Sequence, residues 1–195
     1  MQKKILLTSF DTWLSEQQSN SADDLLLELA KMACLDHDLN FLRRLPVDVD
    51  LASFSVIAKI NELQPDYIIC CGMAASRKNL SVEVFASIMS LHSTVMASRD
   101  CPENSWTTTL QTIVNVEQLI VGTAAVEISY DCGKFVCEGL YYSVLDYLSQ
   151  SQLSIPCIFV HVPILHQENL RDILADFVLI INQLVRGNRE QGTGS

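Results

Sequence analysis

Positive charge is scarce in this chain. Of its 195 residues 13 are Lys or Arg and 23 are Asp or Glu, which gives a formal net charge of -10 at pH 7. No cluster of basic residues reverses that sign locally, so electrostatic docking onto phosphate backbones or anionic lipid is disfavoured. The sequence therefore predicts that neither nucleic acid nor a membrane is a partner.

Long apolar runs and targeting signals are also missing. The best membrane candidate, Phe177 to Val185, is about half of the roughly 20 residues that a spanning helix needs, and it carries two amide side chains. The first apolar run, Ile5 to Phe10, is short and contains two hydroxyl residues, which disfavours a secretory signal peptide. We expect a cytoplasmic protein.

Paired cysteine motifs are absent, although cysteine itself is not. The chain has seven cysteines, an odd number, with no Cys-x-x-Cys and no Cys/His spacing typical of zinc. Neither a disulfide framework nor a structural metal is expected, and a reducing compartment follows. His161, His166 and Glu168 lack a further ligand at a recognisable spacing, and Gly72 lacks the second glycine of a phosphate loop. We expect no metal and no cofactor.

The composition and the apolar patterns predict one α/β domain. Apolar residues make up 49% of the chain and charged residues 18%, which suits a compact fold over residues 1–186 followed by a flexible polar tail, 187–195. Strands are predicted over residues 4–10, 39–45, 67–71, 80–88, 126–129 and 157–161, and helices over 21–34, 51–63, 116–121, 135–149 and 167–185. This alternation predicts a three-layer α/β/α fold with a mostly parallel or mixed sheet. Residues 90–115 have no sustained period, and a loop is expected there.

One cysteine lies where a thiol is most easily activated. Cys137 follows a predicted strand-to-helix turn, and a helix N-terminus and a neighbouring imidazolium each lower a thiol pKa. Backbone N–H groups of the same helix start can also receive an oxyanion. The alternative from spacing alone is one more buried core cysteine.

A histidine and a glutamate are candidates to act together with Cys137. His161 ends a strand that reads as central, at the edge where open α/β sheets place their sites, although structural histidines also occupy strand ends. Glu83 interrupts an apolar strand, so it needs a cation or an imidazole N–H nearby unless its face of the strand is solvated.

Several segments resemble the pyroglutamyl peptidase I family of cysteine peptidases. The resemblance spans most of the chain and is carried by Leu7-Thr8-Ser9-Phe10-Asp11, Leu45-Pro46-Val47, Pro65 to Gly72, Glu83, Gly133-Lys134-Phe135-Val136-Cys137 and Phe159-Val160-His161-Val162-Pro163. It implies that Cys137 attacks, His161 transfers the proton and Glu83 orients the imidazole. It further implies a small peptide substrate with a pyroglutamyl-blocked N-terminus, no cofactor, and a homo-oligomer.

Departures from the family pattern concentrate where substrate would be recognised. The family's Thr-Gly-Phe-x-Pro-Phe is Thr8-Ser9-Phe10-Asp11-Thr12-Trp13 here, and Met73 replaces a glutamine. Phe10 and Trp13 are expected to flank the substrate ring, with Met73 beside them. Two alternatives stay open at this point: a catalytically impaired binding protein, and a cysteine hydrolase of another small amide.

Overall fold

The computed structural model describes residues 2–14, 16–32, 36–91 and 105–191. Within these ranges the strands are β1 Lys4–Phe10, β2 Asp38–Leu45, β3 Tyr67–Met73, β4 Leu80–Glu83, β5 Phe85–Leu91, β6 Ser105–Gln111, β7 Val126–Ser129 and β8 Cys157–Val162. The helices are α1 Ser21–Ala30, α2 Val49–Leu63, α3 Val116–Leu119, α4 Val136–Gln150 and α5 Leu170–Gln191.

A six-stranded sheet in the order β2-β1-β3-β8-β4-β7 forms the middle layer. Its strands pair in parallel except β4 and β8, which are antiparallel. One face is covered by α1, α3 and α5, and the other by α2 and α4, so each face has its own apolar core. The predicted three-layer fold with a mostly parallel sheet is confirmed.

Helix starts follow from side-chain caps. Asn20 accepts a hydrogen bond from the Ala22 N–H at 3.0 Å and caps α1, while the neighbouring Ser21 donates to the Val162 carbonyl. Asp48 caps α2 in the same way by accepting from the Leu51 N–H at 2.9 Å. Each cap satisfies one of the N–H groups that a first helical turn leaves without a partner.

The predicted strand over residues 80–88 is two strands rather than one. The chain leaves the main sheet at Val84, and β5 then pairs with β6 in a separate two-stranded sheet. Val82 and Ala86 consequently pack into different cores, whereas one continuous strand would place them on the same face. Residues 105–111, where a loop was expected, form a strand because they pair with β5. Residues 92–104 of the expected loop lie outside the described residues.

The last helix extends beyond its predicted end. α5 reaches Gln191, so residues 187–191 of the expected tail are helical, and 192–195 lie outside the described residues. No helix in the described part of the chain is both long enough and apolar enough to cross a bilayer.

Candidate active site

Strand pairing brings Glu83 and His161 onto one face of the sheet. In the antiparallel pair of β4 and β8, Glu83 lies opposite Phe159 and Ser81 lies opposite His161. Because side chains alternate along a strand, Glu83, Phe159 and His161 all point to the face that α2 and α4 cover. Glu83 and His161 are therefore diagonal neighbours, close enough for their side chains to meet.

Glu83 is fully buried and strongly held. Its Oε1 accepts a hydrogen bond from Arg77 Nη1 at 2.7 Å and lies 2.7 Å from His161 Nδ1. A carboxylate oxygen accepts, so Nδ1 is assigned as the donor of this pair, and in the neutral imidazole with that tautomer Nε2 is the acceptor. The sequence predicts a cation or an imidazole N–H beside this carboxylate, and both are present. The alternative of a solvated face is wrong.

Helix α4 places Cys137 over this face. Cys137 is the second residue of α4, after an extended Phe135 at the N-cap, and it is partly exposed. Tyr141, one turn further on, donates to the Glu83 carbonyl at 3.3 Å and ties the helix to β4. A Cβ on Gly72 would stand 2.7 Å from Cys137 Sγ, so only glycine leaves room for the thiol against β3.

The electrostatic state of Cys137 differs from the sequence expectation. Burial raises the pKa of the thiol to about 12, and the negative Glu83 and the neighbouring Cys70 add to that rise, while Arg77 opposes it. Desolvation of the thiolate therefore outweighs the helix N-terminus. With its pKa raised in this way the thiol is protonated at neutral pH, while the imidazole is bonded to Glu83 through Nδ1.

A cavity of about 230 Å³ opens beside these groups. Cys137, His161 and all three residues predicted to bind substrate line it: Phe10, Trp13 and Met73. Phe10 is 2% exposed and belongs to the core beneath the cavity, whereas Trp13 is 58% exposed. Trp13 packs against Phe135, with the ring centroids 5.5 Å apart, and this aromatic pair borders the opening.

Met73 has a polar partner, Gln17. Gln17 Nε2 donates to Met73 Sδ at 3.3 Å, and Gln17 Oε1 accepts from the Trp13 N–H at 3.2 Å. Gln17 therefore links two residues of the cavity wall. No motif marked Gln17, because its role depends on a contact with a residue 56 positions away.

Sequence reasoning also missed Arg77 and Cys132 as parts of the site. Arg77 donates one hydrogen bond to Glu83 and a second, from Nη2 to the Asp131 carbonyl at 2.7 Å. Cys132 is 2% exposed and lines the cavity beside Cys137. The signal available for Cys132 was its position in the loop that leads to the nucleophile motif.

Comparison with known proteins decides the family. Residues 3–189 match the family model described as pyroglutamyl peptidase. The chain belongs to the pyroglutamyl peptidase family. This is a family of cysteine peptidases, and the sequence resemblance is thereby confirmed.

Sequence relatives named pyrrolidone-carboxylate peptidase align over most of the chain. The chain is 28% identical to a pyrrolidone-carboxylate peptidase of Brevibacillus brevis and 26% identical to one of Bacillus subtilis. Both alignments cover 87% of this chain and 82% of the relative.

Solved structures of pyroglutamyl peptidases share the fold. Pyroglutamyl peptidase I from Bacillus amyloliquefaciens superposes with a TM-score of 0.73 at 21% identity, over 94% of this chain and 95% of that one. Pyrrolidone carboxyl peptidase from Thermococcus litoralis gives 0.75 at 17% identity, over 97% and 96%. At this identity the superpositions establish the architecture alone.

Proposed function

We propose that this chain is a cysteine exopeptidase that hydrolyses the amide after an N-terminal pyroglutamyl residue. Cys137 is the nucleophile, His161 the general base and acid, and Glu83 the residue that orients the imidazole. The observation that carries the proposal is the buried Glu83–His161 hydrogen bond of 2.7 Å behind a cavity lined by both His161 and Cys137.

Because the resting group is a thiol, its proton is transferred during the first step. Because the pKa of Cys137 is raised by burial, the proton leaves Sγ for His161 Nε2 as Sγ attacks the substrate carbonyl carbon. The imidazolium formed is stabilised by Glu83, which holds its other N–H. Catalytic hydrogen bonds often tighten only when substrate is bound, and the thiol–imidazole contact closes in this way.

The N-terminus of α4 supplies hydrogen-bond donors for the oxyanion. The first N–H groups of α4 lie beside Cys137, and no side chain among the described residues caps them, so they are available to the negative oxygen of the tetrahedral intermediate. The C–N bond then breaks, and the leaving amine takes the proton from the imidazolium. Water, activated by the neutral imidazole, hydrolyses the thioester and releases pyroglutamate and Cys137.

The cavity suits a small ring with little charge. Its walls include the aromatic side chains Phe10, Trp13 and Phe135 together with Met73. A lactam has one N–H and one C=O to satisfy, and apolar side chains cannot pair with either. Polar recognition of the lactam must therefore come from backbone groups or from the polar residues Asp11, Asn20 and Lys134, which also line the cavity. Gln17 reaches the wall only through its hydrogen bond to Met73.

A cytoplasmic location and a homo-oligomeric state belong to the same proposal. Cys70, Cys71, Cys132, Cys137 and Cys157 are all free, which supports a reducing compartment. Light scattering on the purified protein tests the oligomeric state.

Hydrolysis of a chromogenic pyroglutamyl amide, measured beside prolyl and alanyl amides, tests the activity. Wild type should cleave the pyroglutamyl amide fastest, and Cys137→Ala and His161→Ala should each abolish turnover while folding normally. His166→Ala is the matched control, because His166 is exposed and lies outside the cavity. No turnover of any amide by wild type would favour a binding protein, and preference for another amide would favour a different hydrolase.

A further inference from the structure

Cys132 brings a second thiol into the buried site. It lies in the loop between β7 and α4, and one ligand atom each from Glu83, Cys132 and His161 lie within 4.8 Å of one another. All three residues are buried. A thiolate, an imidazole nitrogen and a carboxylate oxygen are the ligand types that zinc takes in proteins.

An unpaired carboxylate oxygen points to a ligand in the same place. Glu83 Oε1 holds both Arg77 and His161, while Glu83 Oε2 is buried with no hydrogen-bond partner in the described part of the chain. Leaving a buried acceptor unpaired costs free energy. A cation bound by Oε2 would remove that cost.

The distances between the three ligand atoms are close to those that tetrahedral coordination of a cation requires. Zinc–ligand distances of roughly 2.0–2.3 Å place tetrahedral ligands about 3.3–3.8 Å apart. Since the ligand atoms already lie within 4.8 Å of one another, they have to approach by no more than about 1.5 Å. Cys132 and His161 both line the cavity, which provides a path of entry.

We propose that Glu83, Cys132 and His161 form an inhibitory site for Zn²⁺ or a similar thiophilic divalent cation. On binding, a metal–sulfur bond replaces the S–H bond of Cys132, and the proton passes to solvent. The cation takes a lone pair from the imidazole and an oxygen from Glu83, so the base and its orienting group are no longer free to act. Inhibition rests on the proposed peptidase function, whereas binding does not.

Zn²⁺ binding by the substrate-free protein tests the site directly. Titration against a chromophoric chelator should show that Cys132→Ala and Cys132→Ser weaken Zn²⁺ binding by at least about tenfold, because each removes a thiolate ligand. Cys137→Ala should change the affinity by less than about threefold, because Cys137 is not among the three ligands. Co²⁺ added to the Cys137→Ala protein should give thiolate-to-cobalt absorption.

Three results would overturn the proposal. One is unchanged Zn²⁺ affinity in folded Cys132→Ala or Cys132→Ser. Another is affinity lost only in Cys137→Ala, which would place the metal on the nucleophile instead. The third is missing thiolate-to-cobalt absorption in Cys137→Ala, which decides the matter even if the Cys132 variants misfold. An inactive wild type that still binds Zn²⁺ through Cys132 would contradict the peptidase proposal and leave the metal site standing.

Discussion

Replacing Gly72 with alanine should disable the nucleophile by displacing it. The new Cβ would lie 2.7 Å from Cys137 Sγ and 2.9 Å from the Phe159 ring. Ordinary contact begins at 3.4 Å, so the sulfur must retreat by about 0.7 Å or rotate away. Phe159 cannot yield, because it is fully buried against Tyr141 and His161. A misplacement of about 1 Å costs on the order of a hundredfold in rate, and overpacking costs about 1–3 kcal/mol of stability.

The assay compares kcat/KM for a pyroglutamyl amide with the free energy of unfolding in urea. Gly139→Ala is the matched control, because its Cβ would stand equally close, 2.7 Å, to Val49 Cγ2. Val49 is 36% exposed and can move outward without disturbing Cys137. Gly72→Ala should lose about a hundredfold in kcat/KM and Gly139→Ala less than about fivefold. Equal losses in the two variants, or full activity in a folded Gly72→Ala protein, would refute the reasoning.

Three further substitutions test separate parts of the account. Glu83→Gln should lower kcat by about one to three factors of ten, because the amide still accepts the His161 N–H but stabilises the imidazolium less; a loss equal to that of Cys137→Ala would mean that the fold had failed. Met73→Gln should raise the ratio of kcat/KM for pyroglutamyl over prolyl amides, since it adds polar groups to the cavity wall; an unchanged ratio would mean that the lactam is recognised without the side chain at position 73. Burial alone would raise the pKa of Asp23, but hydrogen bonds from Arg43 and Ser9 and the nearby cations hold it below its usual value. The stabilisation from ionised Asp23 is therefore present above about pH 4 and is lost as pH falls through the lower folded pKa. The urea midpoints of wild type and Asp23→Asn should converge below about pH 4. A constant difference between the two midpoints across this pH range would contradict the prediction.

The strands and helices that carry the site could be predicted because their signals are local. Apolar runs and stop residues place β1, β3 and β8 to within about two residues of their observed bounds. The break at Val84 and the strand Ser105–Gln111 could not be found in that way. Both depend on pairing between segments that lie far apart in sequence.

The identity of the site residues could be predicted from the sequence better than the burial and pKa of their side chains. A glutamate in an apolar strand had to find a partner, and the structure supplies Arg77 and His161. The direction of the Cys137 pKa shift was not predictable, because it is set by how deeply α4 and the cavity wall bury the thiol. Local sequence reports the helix N-terminus but not that desolvation.

Identification of the cysteine that reacts with substrate tests the central claim most directly. The reagent is a pyroglutamyl analogue with a chloromethyl ketone in place of the scissile amide, followed by peptide mapping in a mass spectrometer. The account predicts one adduct per chain, on Cys137, with its rate greatly reduced in His161→Ala. An adduct on Cys132, or equal labelling of Cys137 with and without His161, would contradict it.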